Sequence, residues 1–371
     1  MPKRIEYIDV ARGIGILLVV MGHNDFALIS PFAHKVIYSF HMPLFFFLSG
    51  YLLNPSVGFW TFFKKRFNSL LKPFFFTIFL IYFFSISFGR IGFQTAIGRI
   101  IKSLYGAGYY LDWVQLWFLP HLFAVSLYAY LFYATVGKID NRIVRWSILL
   151  LTLGIASLFL KDFYPFPLTV LAKEYELFGL PFSLDLVLLS GFFFILGSET
   201  HHNTSEGLFS SPLLLLLTGA ALILMNIFLI PRIDFNTRQY DSFVINTIEA
   251  VAGILFVLAL SRQIELRTDR LASLFKYFGK ITLILLIFHV PIQDFWGQKF
   301  LAVTGNPALS IWLAFFMGVA GPVLIYELFI RANPVASFWF GRKAEPPRNA
   351  ETPVQTPSVE VQDSTKISIN Q

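Results

Sequence analysis

Ile5–His23 reads IEYIDVARGIGILLVVMGH and, after a short polar loop, Ser39–Leu53 reads SFHMPLFFFLSGYLL. Both segments are apolar enough to enter a bilayer, yet Asp9, Arg12, His23 and His41 lie inside them. Ionisable groups are costly in hydrocarbon, and a chain that keeps them there uses them for a substrate path, a relay or a site.

The rest of the chain has the same character. Its 371 residues are 56% hydrophobic and 18% aromatic but only 14% charged, where a soluble domain carries about a quarter charged residues. Lys plus Arg exceed Asp plus Glu by 29 − 22 = 7. In a membrane protein that surplus reports loop orientation and contact with anionic lipid, so nucleic acid is not expected as a partner. Cysteine is absent, which excludes disulfides, thiolate catalysis and iron–sulfur clusters. The N-terminus has no small-residue cleavage pattern and leads straight into the segment bearing Arg12 and His23, so a retained first helix is expected.

A spanning helix needs about 20 mostly apolar residues. Such windows lie near 9–28, 36–53, 73–89, 115–136, 146–161, 180–198, 212–230, 243–261, 277–296 and 308–330. The expected fold is therefore all-α, a polytopic transmembrane helical bundle of about ten spans. Lys and Arg cluster in alternate connections, among them Lys64, Lys65, Arg66 and Lys72, then Lys138, Arg142 and Arg145, then Arg262, Arg267 and Arg270. That alternation places both termini in the cytoplasm. Residues 90–114, rich in glycine, fit a loop, an interfacial helix or a re-entrant piece. The membrane domain covers 1–335, and 336–371 reads as a disordered cytoplasmic tail rich in Pro, Ser, Thr, Gln and Glu. No internal repeat is visible, which argues against a transporter built from inverted halves.

Helix geometry relates the polar residues to one another. At about 1.5 Å per residue, His23 lies ~21 Å and His289 ~18 Å from the inner ends of their helices. His41, His121, Asp185 and Glu249 enter ~8–9 Å from the outer ends, and Asn226 joins the same band. Arg12 and His23 are 23 − 12 = 11 positions apart, so they sit only ~20° apart around one helix and ~16 Å apart along it. One face thus presents a cation near the inner surface and an imidazole deep in the membrane.

A guanidinium fork suits phosphate, and imidazole suits proton transfer near neutral pH. A long phosphorylated donor such as a coenzyme A thioester could be held at Arg12 while its reactive end reaches His23 as general base. Lys64, Lys65, Arg66 and Lys72 lie on the same side and either hold further phosphates or serve as ordinary positive-inside charge. Asp9, one turn before Arg12, is the expected ion-pair partner. Trp117 belongs to an outer aromatic belt or stacks on a sugar. Ser49 and Gly50 are read as a close-packing site. Asn236, Arg238, Tyr240 and Asp241 fall in an outward loop within reach of an acceptor, and His34, His201 and His202 fall in loops without the spacing of a metal site.

At these residues the sequence resembles the acyltransferase 3 family of integral-membrane enzymes, and most of all its fucose 4-O-acetylase-like subgroup. The stretches that carry the likeness are IDVARGIGILLVVMGH (Ile8–His23), FHMPLFFFLSGYLL (Phe40–Leu53), LWFLPHLF (Leu116–Phe123), FNTRQYDSF (Phe235–Phe243) and FGKITLILLIFHVPI (Phe278–Ile292). The resemblance implies transfer of acetyl from cytoplasmic acetyl-CoA, a co-substrate, to a hydroxyl of a surface or exported carbohydrate, in the inner membrane and without a metal. By the same likeness His23 is the essential histidine and Arg12 the arginine on the CoA side. Lys65, Arg66 and Lys72 stand where many members carry a second arginine pair, but here Arg66 is followed by Ser69. His41, Trp117, His121, Asp185, Glu249 and His289 are the expected cavity residues. The competing reading is a glycolipid transporter or flippase using the same polar band.

Overall fold

The computed structural model describes residues 5–54, 56–170, 173–229 and 232–345. Among these the helices are α1 (Glu6–Gly22), α2 (Pro31–Tyr51), α3 (Phe59–Arg66), α4 (Lys72–Ser87), α5 (Phe93–Ser103), α6 (Phe118–Ala134) and α7 (Arg142–Phe159). There follow α8 (Val187–Asn203), α9 (Pro212–Phe228), α10 (Phe243–Arg267), α11 (Asp269–Lys280), α12 (Thr282–Thr304), α13 (Pro307–Ile325) and α14 (Pro334–Trp339). Described strands are confined to two antiparallel hairpins, β1 (Phe166–Val170) with β2 (Lys173–Leu177) and β3 (Ile233–Asp234) with β4 (Gln239–Tyr240).

Apolar runs of this length become helices because only a helix satisfies every backbone N–H and C=O within one segment. The starts are written locally. Ser211, Asn306 and Asn333 each precede a proline at the first helical position and accept backbone N–H groups of the opening turn of α9, α13 and α14.

Among the described residues six helices are long and apolar enough to cross a membrane: Phe59–Ser87, Val114–Lys138, Arg142–Phe163, Pro181–Asn203, Phe243–Arg267 and Pro307–Ile330. A seventh is formed if α11 and α12, bent by 79° at Ile281, are taken as one broken span. Helices α1 and α9, each of 17 residues, are shorter, and α2 is diluted by His34, Lys35 and His41. Residues 93–103, open to three readings in sequence, form the amphipathic α5. It exposes Phe93 (68%) and Ile101 (64%) along one side and pairs Arg99 with Asp112 at 3.2 Å, the habit of a helix lying in an interface.

Two close helix contacts set the centre of the bundle. A Cβ at Gly50 of α2 would meet the Phe194 carbonyl of α8, and one at Gly197 of α8 would meet the Phe47 carbonyl of α2. Gly13 of α1 meets the Phe275 carbonyl of α11 in the same way, and Gly279 of α11 meets the Asp9 carbonyl of α1. Backbones in lipid gain most from such approach, since apolar side chains find little advantage in one another over lipid tails. Helix α10 packs on α1, α2 and α9.

Residues 336–345, expected in the tail, instead turn back onto the bundle. Trp339 stacks on Phe76 with ring centroids 5.2 Å apart, Phe340 is buried against Phe288, and Glu345 bonds Lys280 at 2.6 Å. The remainder of the expected tail, 346–371, lies outside the described residues.

Substituting Gly50→Val should lower stability by about 1–3 kcal/mol through forced overpacking. Gly98→Ala, on the open side of α5 with nothing within 4 Å, should raise it by up to about 1 kcal/mol. Thermal unfolding of the two detergent-solubilised variants beside the parent checks both.

Candidate active site

The 3.6-residue repeat of α1 aligns Ile5, Ile8, Arg12, Ile16, Val19 and His23 within a stripe about 80° wide. Three cavities of the protein are strung along that stripe. Ile5 and Ile8 line a large cavity of about 1260 Å³ at the N-terminal end of α1, with Tyr7, Tyr51, His201 and Arg262 in its walls. Ile16, Val19 and His23 line a narrow apolar cavity of about 40 Å³ with Phe45, Trp117, Phe118 and Leu286. His23 then opens into a polar pocket of about 190 Å³ with Tyr38, His41, Gln115, Trp117, Asp234 and Asn236. Arg12 lines neither of the first two but falls between their lining residues along α1, its side chain 36% exposed and 3.9 Å from Asp9. The expected Asp9–Arg12 pair is therefore present.

His23 ends α1 as its C-cap and bonds the Val19 carbonyl through Nδ1 at 2.8 Å. A carbonyl can only accept, so Nδ1 carries the proton and Nε2 keeps its lone pair. His41 makes the same bond to Ile37 at 3.0 Å, and His289 to Leu285 at 2.8 Å. The His289 ring stands edge-on to His23, centroids 5.2 Å apart and planes at 88°, and its buried Nε2 has no hydrogen-bond partner. Three imidazoles thus share one region, each with Nδ1 bonded to its own helix and Nε2 left over. Gln115 fixes the wall beside them by donating to the Ile287 carbonyl at 2.8 Å.

The other expected cavity residues lie elsewhere. His121 spends both nitrogens, Nε2 with the Ser190 hydroxyl at 2.8 Å and Nδ1 on the Phe182 carbonyl at 3.2 Å. It thereby holds Phe182 and Ser183, whose φ values of 55° and 53° fall in the left-handed region. Asp185 sits in the turn before α8 and forms a fully buried bidentate pair with Arg238, 2.7 Å from Nε and 3.2 Å from Nη2. Glu249 is buried on α10, with Lys35 as the positive charge facing it. Lys35 also caps the C-terminus of α9 by donating to the carbonyls of Asn226 and Leu229.

The basic residues after α2 are also apart from the cavities. Lys65 is exposed, Arg66 lies over the rings of Phe62 and Phe194, and Lys72 sits 3.7 Å from the centroid of Phe338. Sequence reasoning did not single out Tyr7, Tyr38, Tyr51, Gln115, Asp234 or Arg262 for a site. His201 and His202, expected in a loop, end α8 and line the large cavity. Of the outward-loop residues, Asn236 reaches the polar pocket, while Arg238 and Tyr240 are buried in structural bonds. Among the described residues no three His, Cys, Asp or Glu side chains gather where they could hold a metal ion.

An acyltransferase domain family model matches residues 5–327. The chain belongs to that family. Its members' name and the apolar helices together make it a membrane acyltransferase of the multi-pass kind. No curated protein and no solved structure matches the chain. Within this acyltransferase, the Asp185–Arg238 pair anchors the β3–β4 hairpin that walls the polar pocket. Asp185→Ala should leave Arg238 buried without a counter-charge and cost about 3–5 kcal/mol. The double variant Asp185→Leu/Arg238→Met should recover most of that loss, as read by thermal unfolding of the solubilised protein.

Proposed function

We propose that this acyltransferase is fucose 4-O-acetylase-like and carries acetyl from cytoplasmic acetyl-CoA to a hydroxyl of a lipid-linked or exported carbohydrate. The observation that supports this reading is the single α1 stripe on which Ile5 and Ile8 line the large cavity, Ile16, Val19 and His23 line the apolar neck, and Arg12 falls between the two sets along the helix. In this reading the chain crosses the inner membrane about ten times, with α1, α2, α9 and the bent α11–α12 pair completing the six long spans, and both termini are cytoplasmic. The large cavity then faces the cytoplasm and the polar pocket faces outward.

The cytoplasmic cavity exceeds the ~300–1,000 Å³ of sites that enclose a drug-sized ligand, and its tyrosines and histidines offer stacking faces to a nucleotide, although Glu6, Asp9, Glu206 and Glu265 also line it and Arg262 is paired with Glu265 at 2.6 Å. Arg12 holds donor phosphates with its fork. The neck of about 40 Å³ admits the thin end of the donor and brings the thioester carbonyl to His23. A sugar hydroxyl enters from the polar pocket, His23 Nε2 takes its proton, and the oxygen attacks the carbonyl. The tetrahedral intermediate expels the CoA thiolate, which recovers the proton from the imidazolium, so the enzyme returns to its starting state. His289, packed edge-on, fixes the tilt of the His23 ring. Lys65, Arg66 and Lys72, exposed or held on aromatic faces, attract anionic lipid or donor only from a distance.

His23→Ala should reduce acetyl transfer in isolated membranes by at least about 10²-fold, the ordinary worth of a general base, with the protein still inserted. Arg12→Ala should raise KM for acetyl-CoA about tenfold, and Arg12→Lys should restore only part of that, because an ammonium lacks the fork. Mass spectrometry of the host's surface and exported glycans with and without the gene should show loss of an ester substituent. Movement of a glycolipid by proteoliposomes with no acyl donor, and no ester change, would favour a flippase instead.

A further inference from the structure

A second outward cavity, of about 180 Å³, lies beyond the end of α1 between α12 and α13. Its polar walls are Asn24, Asp25, Gln293, Asp294, Gln298 and Ser310. The donors among the inner walls are already committed to backbone. The Asn24 amide donates to the Ile311 carbonyl at 3.0 Å, the Gln293 amide to Val20 at 2.9 Å, and the Ser310 hydroxyl to Gly297 at 2.7 Å. What is left over is acceptor. Asn24 is 7% and Gln293 2% exposed, and their oxygens Oδ1 and Oε1 are buried without any hydrogen-bond partner.

Buried amide oxygens left bare are costly, and a wall that keeps two of them beside two carboxylates is matched to a ligand that brings donors. No basic side chain lines the cavity among the described residues, so an anionic ligand meets two carboxylates and bare acceptors, with only neutral donors such as the Gln298 amide at the rim to offset them. Leu28, Leu301 and Pro307 supply apolar surface for the C–H face of a ring. The volume is below that of a drug-sized site and fits one ring-sized group.

The cavity adjoins the reacting centre. Asn24 follows His23 in sequence, and Gln293 stands one turn beyond His289 on α12, about 6 Å along the helix. We propose that this cavity is a second acceptor subsite that binds an uncharged, hydroxyl-bearing sugar residue next to the one being acylated and disfavours acidic sugars. The proposal rests on the acyl-transfer reading above.

The test uses the full-length protein in detergent, acetyl-CoA, and the de-esterified glycan purified from the gene-deleted host. A companion probe is the same glycan with its primary hydroxyls oxidised to carboxylates. Asp25 and Asp294 are exposed at the rim, so Asp25→Lys/Asp294→Lys should fold, which monodisperse elution verifies. For the parent, the neutral glycan should bind at least tenfold more tightly than the oxidised one by isothermal titration calorimetry. In the double variant, KM and Kd for the neutral glycan should rise about tenfold with kcat within about twofold, and the preference should move toward the oxidised glycan. Unchanged KM, Kd and preference in a variant that still acylates the glycan would overturn the subsite and leave the acyl-transfer reading standing. If the folded parent neither binds nor acylates the glycan, the acyl-transfer reading falls and the subsite with it.

Discussion

The site depends on one repeated bond. Around the polar pocket three histidines give their Nδ1 proton to a carbonyl four residues earlier, His23 to Val19, His41 to Ile37 and His289 to Leu285, as His202 does to Ser198 on α8. In an apolar bundle a donor without a partner is costly, and the helix itself supplies the nearest acceptor. That local bond settles three things together. It picks the tautomer, it holds the ring against its own helix, and it leaves Nε2 as the available base. The bond orients each imidazole without a carboxylate partner: Asp185 pairs with Arg238, Glu249 faces Lys35, and Asp234 shares the polar pocket with His23 and His41 without a hydrogen bond to either among the described residues.

Bringing three such rings together requires helices that approach closely, and the glycines accomplish this. The reciprocal Gly13–Gly279 contact locks α1 to α11, and the reciprocal Gly50–Gly197 contact locks α2 to α8. Because α11 continues through a 79° bend into α12, fixing α11 on α1 also directs the helix that carries His289. Packing near the N-terminal end of α1 thus determines where an imidazole stands near its other end.

The helical nature of the chain and the common face of Arg12 and His23 were legible in sequence, because both are properties of a single segment. The periodicity of α1 alone places Ile16 and Val19 with them, and the neck is lined accordingly. What could not be read was pairing across distance. Nothing near His121 announces that Ser190 takes its second nitrogen, and nothing near Asp185 announces Arg238, 53 positions later. A buried polar residue looks the same in sequence whether it faces a cavity or a structural partner. The ten expected windows are not all matched by long apolar helices: α1 and α9 have 17 residues each, and the break at Ile281 divides one apolar run into two helices.

The apolar neck has a further consequence. Two polar cavities that met freely across a bilayer would form a wire for ions and protons and drain the membrane potential. The collar of Ile16, Val19, Phe45, Phe118 and Leu286 outweighs the polar His23, Gln115 and Thr282 in the same neck, and narrow, mostly hydrophobic constrictions of this kind resist wetting. In the proposed reaction the same side chains would guide the donor's chain end to His23 and act as electrical insulation when that path is empty.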